Sequence, residues 1–171
     1  MSILRTWRTR LFSAFAVLAL SGGTLIATSS PAAAAEQHCN YNANFNACLT
    51  LTYKGFFWYD ATVGLDVHMS QQYAQWLVDC PHVVRSTIWG DDGGSNRSRI
   101  RDLVLSPGWP GAGPDGYGVE MYTLNINADD LNEDGDDDRD EFYATIQYLD
   151  CMTGFWSPEY RTGEFVGDYR S

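Results

Sequence analysis

Between residues 57 and 69, apolar or aromatic side chains fall at every odd position: Phe57, Tyr59, Ala61, Val63, Leu65, Val67 and Met69. Trp58, Asp60, Thr62, Gly64, Asp66 and His68 take the even ones. A period of two is the mark of a strand with one buried face, so the pattern predicts one long strand, or two joined at Gly64. The same alternation, in shorter runs, predicts strands over 49–53, 122–126 and 142–148; β-branched and aromatic content predicts one over 83–89, the alternating Arg97, Arg99 and Arg101 one running to Leu105, and a last strand lies within 160–169. Lys54-Gly55 marks a turn, and 90–96 reads as a loop by its Gly, Asp and Asn content. The pattern changes once. Ser70 is placed to cap a short helix running to about Asp79, with Met69, Tyr73, Leu77 and Trp76 on its buried side and Cys80-Pro81 ending it.

Two stretches have no periodicity. Residues 36–46 are Asn-rich and predict an extended or coil arm. Residues 106–118 hold five Gly and three Pro around Trp109, which predicts an irregular segment of the length that functional loops have. About seven strands, one short helix and closely spaced turns indicate an all-β protein, an antiparallel β-sandwich of immunoglobulin-like form. The Cys…Trp…Cys spacing of true immunoglobulin domains is missing.

The N-terminal 35 residues stand apart. Arg5, Arg8 and Arg10 precede an apolar run over 11–20, and Ala33-Ala34-Ala35 precedes Glu36. This is the layout of a cleaved export signal, and the apolar run is short for a membrane span. The expected organisation is a signal over 1–35 and one secreted domain over 36–171, with no membrane insertion once the signal is gone. The full chain carries a net charge of −11. Without Arg5, Arg8 and Arg10, 8 basic residues face 22 acidic ones, giving −14. Such a charge disfavours nucleic acid and anionic membranes as partners.

Cys39, Cys48, Cys80 and Cys151 are an even set in an exported chain, which predicts two disulfides. Three pairings are possible. A local clip, Cys39–Cys48, with a long-range staple, Cys80–Cys151, is preferred. Without a Cys-x-x-Cys pair, zinc is a poor alternative.

Nine of the thirteen residues over 129–141 are acidic, and only Arg139 answers them. Counting from Asp130, oxygen-bearing side chains fall at positions 1, 3, 5 and 9 (Asp130, Asn132, Asp134, Asp138), with Gly135 at 6 and Glu141 at 12. Over these twelve residues the chain resembles the calcium loop of EF-hand proteins. The resemblance implies a calcium site formed by Asp130, Asn132, Asp134, the backbone carbonyl of Asp136, Asp138 and Glu141. It departs from that family in two respects. Asp137 stands where an apolar residue is usual, and the flanks read as strands joined by the acidic loop. A solvated loop is the plainer reading; mutual repulsion of the carboxylates favours a bound cation.

Trp58, Trp109 and Trp156 are candidate platforms for sugar rings, against the alternative that they pack between strands. Arg97, Arg99 and Arg101 alternate along one strand, either guarding an edge or facing an anion. Asp66 and His68 share a strand face, but no nucleophile–base constellation or metalloprotease motif accompanies them. The sequence therefore predicts a non-catalytic exported binding module, stabilised by calcium, whose ligand is an unknown extracellular protein or carbohydrate. The alternative is a secreted inhibitor acting through 106–118 or 90–96; a hydrolase is the third class.

Overall fold

The computed structural model describes residues 35–91, 97–132, 139–167 and 169. The expected export signal up to residue 34, most of the 90–96 loop, and Asp134, Asp136 and Asp138 of the acidic stretch lie outside them. The described chain is mostly antiparallel β with two short helices. Its strands are β1 (Ala35–Tyr41), β2 (Phe45–Gly55), β3 (Trp58–His68), β4 (Val84–Asp91), β5 (Arg97–Leu105), β6 (Gly111–Gly113), β7 (Gly116–Asn127), β8 (Asp140–Asp150), β9 (Phe155–Trp156), β10 (Tyr160–Arg161) and β11 (Phe165–Gly167). The helices are α1 (Gln71–Asp79) and α2 (Ala128–Leu131).

The strands join in the order β1-β2-β3-β7-β5-β4-β8-β10, with β6 on β7 and with β9 and β11 on β8. This continuous sheet curls into a half-barrel and replaces the expected seven-strand sandwich. The short strands are what sequence alternation missed, because two or three residues carry no period. β5 makes the curl continuous. Its first part pairs with β4, while Val104 and Leu105 pair with Tyr122 and Met121 of β7.

The long alternation over 57–69 is one uninterrupted strand, β3. Its Ala61, Val63, Leu65 and Val67 point into the core beside Ala47, Leu49 and Leu51 of β2. Val119 and Met121 of β7 continue this wall, and Ile88, Phe142, Ala144 and Ile146 of β4 and β8 face it. The curl brings β1 against the C-terminal segment. Asn40 Nδ2 donates to the Arg161 carbonyl at 3.1 Å, and the His38 and Phe165 rings lie 4.1 Å apart. Gly163 permits this approach, since a Cβ there would sit 2.7 Å from the Cys39 nitrogen.

Ser70 caps α1 as expected, its side chain accepting from Tyr73 N–H at 3.3 Å. Leu77 is buried as expected and Ala74 with it, Met69 and Tyr73 pack half-buried against the core, and of the expected buried side only Trp76 is exposed. At about 100° per residue, Trp76 lies roughly opposite Ala74 on the helix. The Asn-rich arm is β1, paired in register with β2. Cys39–Cys48 spans a directly opposed pair of that ladder, and Cys80–Cys151 ties the end of α1 to the end of β8. Alongside the second link, the Tyr73 hydroxyl donates to Asp150. Burial opposes ionisation of Asp150, but hydrogen bonds from Tyr73, Met152 and Thr153 outweigh it and hold the carboxyl below its usual range.

Two further expectations are corrected. Residues 106–118 are not wholly irregular, since β6 folds back on β7 and pairs Gly111 with Gly118 and Gly113 with Gly116. Gly116 is required there: its φ is +132°, and a Cβ would lie 2.1 Å from the Val67 carbonyl oxygen. The strands flanking the acidic stretch, β7 and β8, are not partners, because β7 pairs with β3, β5 and β6 and β8 with β4, β9, β10 and β11. The first turn of the stretch is the helix α2.

Candidate functional site: a tryptophan-walled cleft

The turn 42–44 between β1 and β2 is an Asx-turn, in which Asn42 Oδ1 accepts from the backbone N–H of Asn44 at 2.8 Å and of Phe45 at 3.1 Å. The turn in turn anchors His68 at the end of β3. Its Nδ1 lies 2.9 Å from the Ala43 carbonyl oxygen, and its Nε2 3.4 Å from Asn46 Nδ2. A carbonyl only accepts, so Nδ1 carries the proton and Nε2 is left as an acceptor. Asp66 lies on the same outer face, directly opposite Asn46 on β2 and Gly118 on β7.

The missing Cβ at Gly118 makes room for Trp109. The chain leaves β5, passes the cis Trp109-Pro110 bond and enters β6. The indole then lies over Gly118, where a Cβ would be 2.9 Å from the ring and 3.2 Å from Asp66 Oδ1. Carboxylate and indole therefore flank one backbone position. Together with Asn46, His68, Asp115 and the glycines of the β6–β7 hairpin they line a cleft of about 580 Å³. This lies within the range of about 300–1,000 Å³ occupied by small-ligand sites. Tyr117 forms its inner boundary, and burial pushes its hydroxyl pKa up to about 12.

The three candidate tryptophans do not converge. Trp58 begins β3 beside the exposed turn Phe56-Phe57, and Trp156 lies on β9 beneath the Arg85 guanidinium, 4.1 Å from the ring centroid. Trp109 alone of the three lines this cleft. Among the described residues, His68 bonds to Ala43 and Asn46, not to Asp66 on the same strand face. Asn46, Asp115 and Gly118 were not visible as site residues in the sequence. The available signal was the pair of alternating glycines, Gly116 and Gly118, following a tryptophan.

The arginine stripe is split. A bulge at Ile100 shifts the β4–β5 register, so that Arg99 opposes Trp89 whereas Arg101 opposes Ile88. Arg97 and Arg99 stay on the outer face, paired with Glu159 and Asp102, and Arg97 stacks over Trp89 at 4.1 Å. Arg101 reaches Asp130 at 2.8 Å.

Of the six residues expected to hold calcium, only Asp130, Asn132 and Glu141 lie among the described residues. Asp130 is engaged by Arg101, Asn132 caps α2 through a backbone bond to Ala128, and Glu141 stands in β8 opposite Val166 of β11. Among the described residues, no three His, Cys, Asp or Glu side chains gather as a metal site. No described helix is long and apolar enough to cross a membrane. Comparison with family models, curated proteins and solved structures finds no match to the chain.

Proposed function

We propose that the protein is a non-catalytic, exported binding module whose ligand is a carbohydrate held in the cleft beside Trp109. One observation carries this reading: an indole, fixed over Gly118, walls a cleft whose rim bears Asn46, Asp66 and His68 Nε2. A sugar ring offers C–H groups to an aromatic face and hydroxyls to surrounding donors and acceptors. Carboxylate, amide and imidazole supply that complement. The paired cysteines are compatible with export. The inhibitor reading draws less support at 106–118, because half of that segment is tied into the β6–β7 ladder; most of 90–96 lies outside the described residues.

Stabilisation by calcium at the acidic stretch belongs to the same proposal. Its support is the ligand spacing over 130–141 and the density of carboxylates there. An ion at this stretch would compete with Arg101 for Asp130.

Affinity electrophoresis against a panel of soluble polysaccharides tests the module. Retardation of the wild-type protein that Trp109→Ala abolishes, and that Trp58→Ala and Trp156→Ala leave intact, is the expected result. Retardation lost in either of the other two variants instead would move the site elsewhere.

A further inference from the structure

We infer that the cleft beside Trp109 selects a sugar bearing a free ammonium group, a hexosamine, over its neutral N-acetylated form; this rests on the carbohydrate reading above. The inference comes from what surrounds the indole. Asp66 and Asp115 both line the cleft, and neither carboxylate has a hydrogen-bond or ion-pair partner among the described residues. Among the described residues, no Lys or Arg lines it. His68 Nδ1–H is committed to the Ala43 carbonyl, and its other nitrogen faces the Asn46 amide at 3.4 Å.

Several acids elsewhere on the outer faces are paired. Asp60 lies 3.4 Å from Lys54, Asp91 2.9 Å from Arg161, and Glu159 2.8 Å from Arg97, while Asp102 is held by Arg99. The cleft is thus a concave place where negative charge is left unanswered, in a chain of net charge −11. A concave wall concentrates such a field, and an indole face attracts cations through its quadrupole. Asp66 and the Trp109 ring both lie near the position of a Gly118 Cβ, 3.2 and 2.9 Å from it. An ammonium on a sugar stacked against Trp109 is therefore placed to meet both. A neutral acetamide at the same carbon carries no charge for Asp66 and adds bulk beside it.

Isothermal titration of the mature protein with β-linked glucosamine oligomers, their fully N-acetylated counterparts and oligolysine tests the inference. The aminated sugar should bind about tenfold more tightly than the acetylated one, consistent with a cation–π contact plus an ion pair. That advantage should shrink as salt rises. Asp66→Asn and Asp115→Asn, at exposed positions and with folding checked by melting, should each reduce the advantage, weakening the aminated sugar more than the acetylated one. Trp109→Ala should weaken both sugars. Equal binding of the two sugars, indifferent to Asp66→Asn but lost in Trp109→Ala, would overturn the charge selection and leave the carbohydrate reading standing. Tighter binding of oligolysine than of either sugar would overturn it in favour of a basic protein segment. Absence of binding by both sugars would remove the inference together with the reading beneath it.

Discussion

The Trp109 indole lies over Gly118 so closely that a Cβ at that glycine would be 2.9 Å from the ring. The fit makes Gly118 a lever on the cleft that touches no core side chain, because position 118 faces outward between the buried Tyr117 and Val119. Gly118→Ala should push the indole out of place. Overpacking of this kind costs roughly 1–3 kcal/mol, offset in part by the better strand propensity of alanine. The expected outcome is a folded protein with a shifted tryptophan emission spectrum and weakened saccharide binding. Gly64→Ala, with nothing within 4 Å of its Cβ, is the matched control and should change neither.

The two disulfides should differ in weight. Cys39–Cys48 closes a sequence separation of 9 and Cys80–Cys151 one of 71. In the chain-entropy account, removal costs about 3 kcal/mol for the short loop and about 4.5 kcal/mol for the long one. Paired Cys→Ala variants in chemical denaturation should show the larger loss for Cys80–Cys151. Tyr73 and Asp150 sit beside that link and should keep α1 docked in part.

Alkaline pH should unfold the protein from above about pH 10. Burial raises the hydroxyl pKa of Tyr117 to about 12, and burial likewise raises Tyr148 and Tyr169. In the unfolded chain a tyrosine loses its proton near pH 10. The folded state then holds more protons than the unfolded state, and stability falls with rising pH. The contribution is complete below pH 10 and, for Tyr117, is lost by about pH 12. Ultraviolet titration should show a late phenolate fraction appearing together with loss of near-ultraviolet circular dichroism. Ordinary titration of every tyrosine in a still-folded protein would refute this.

Calcium should raise the melting temperature more than magnesium or sodium at equal ionic strength. Dissociation constants of about 10⁻⁴–10⁻³ M are typical of extracellular modules, and free ion at ten times such a constant stabilises by about 1.4 kcal/mol. Glu141→Gln should reduce the effect and Asp137→Asn should not. Equal shifts in all three salts, with the two variants alike, would reduce the acidic stretch to a solvated run of charge.

The long strands were legible because a half-buried strand writes its burial into every second residue, as β3 does from Ala61 to Val67. Ser70 was legible because capping is a local bond. The curl of the sheet was not, for it depends on contacts such as Asn40 to Arg161 that join residues far apart in the chain. The same limit applies to the arginines: a single bulge at Ile100 turns Arg101 off the face of Arg97 and Arg99, and nothing in the alternation marks it. In the cleft, Trp109 and Asp66 were visible as residue types. Their meeting over Gly118 required the β3–β7 register.

The central claim is that Trp109 and its neighbours form the ligand site, and residue-resolved magnetic resonance tests it most directly. On titration with glucosamine oligomers, the indole N–H of Trp109 and the backbone amides of Asp66, His68 and Gly118 should shift in a saturable manner, while the indoles of Trp58 and Trp156 stay still. Saturable shifts confined to Trp58 or Trp156, with Trp109 unmoved, would contradict the account.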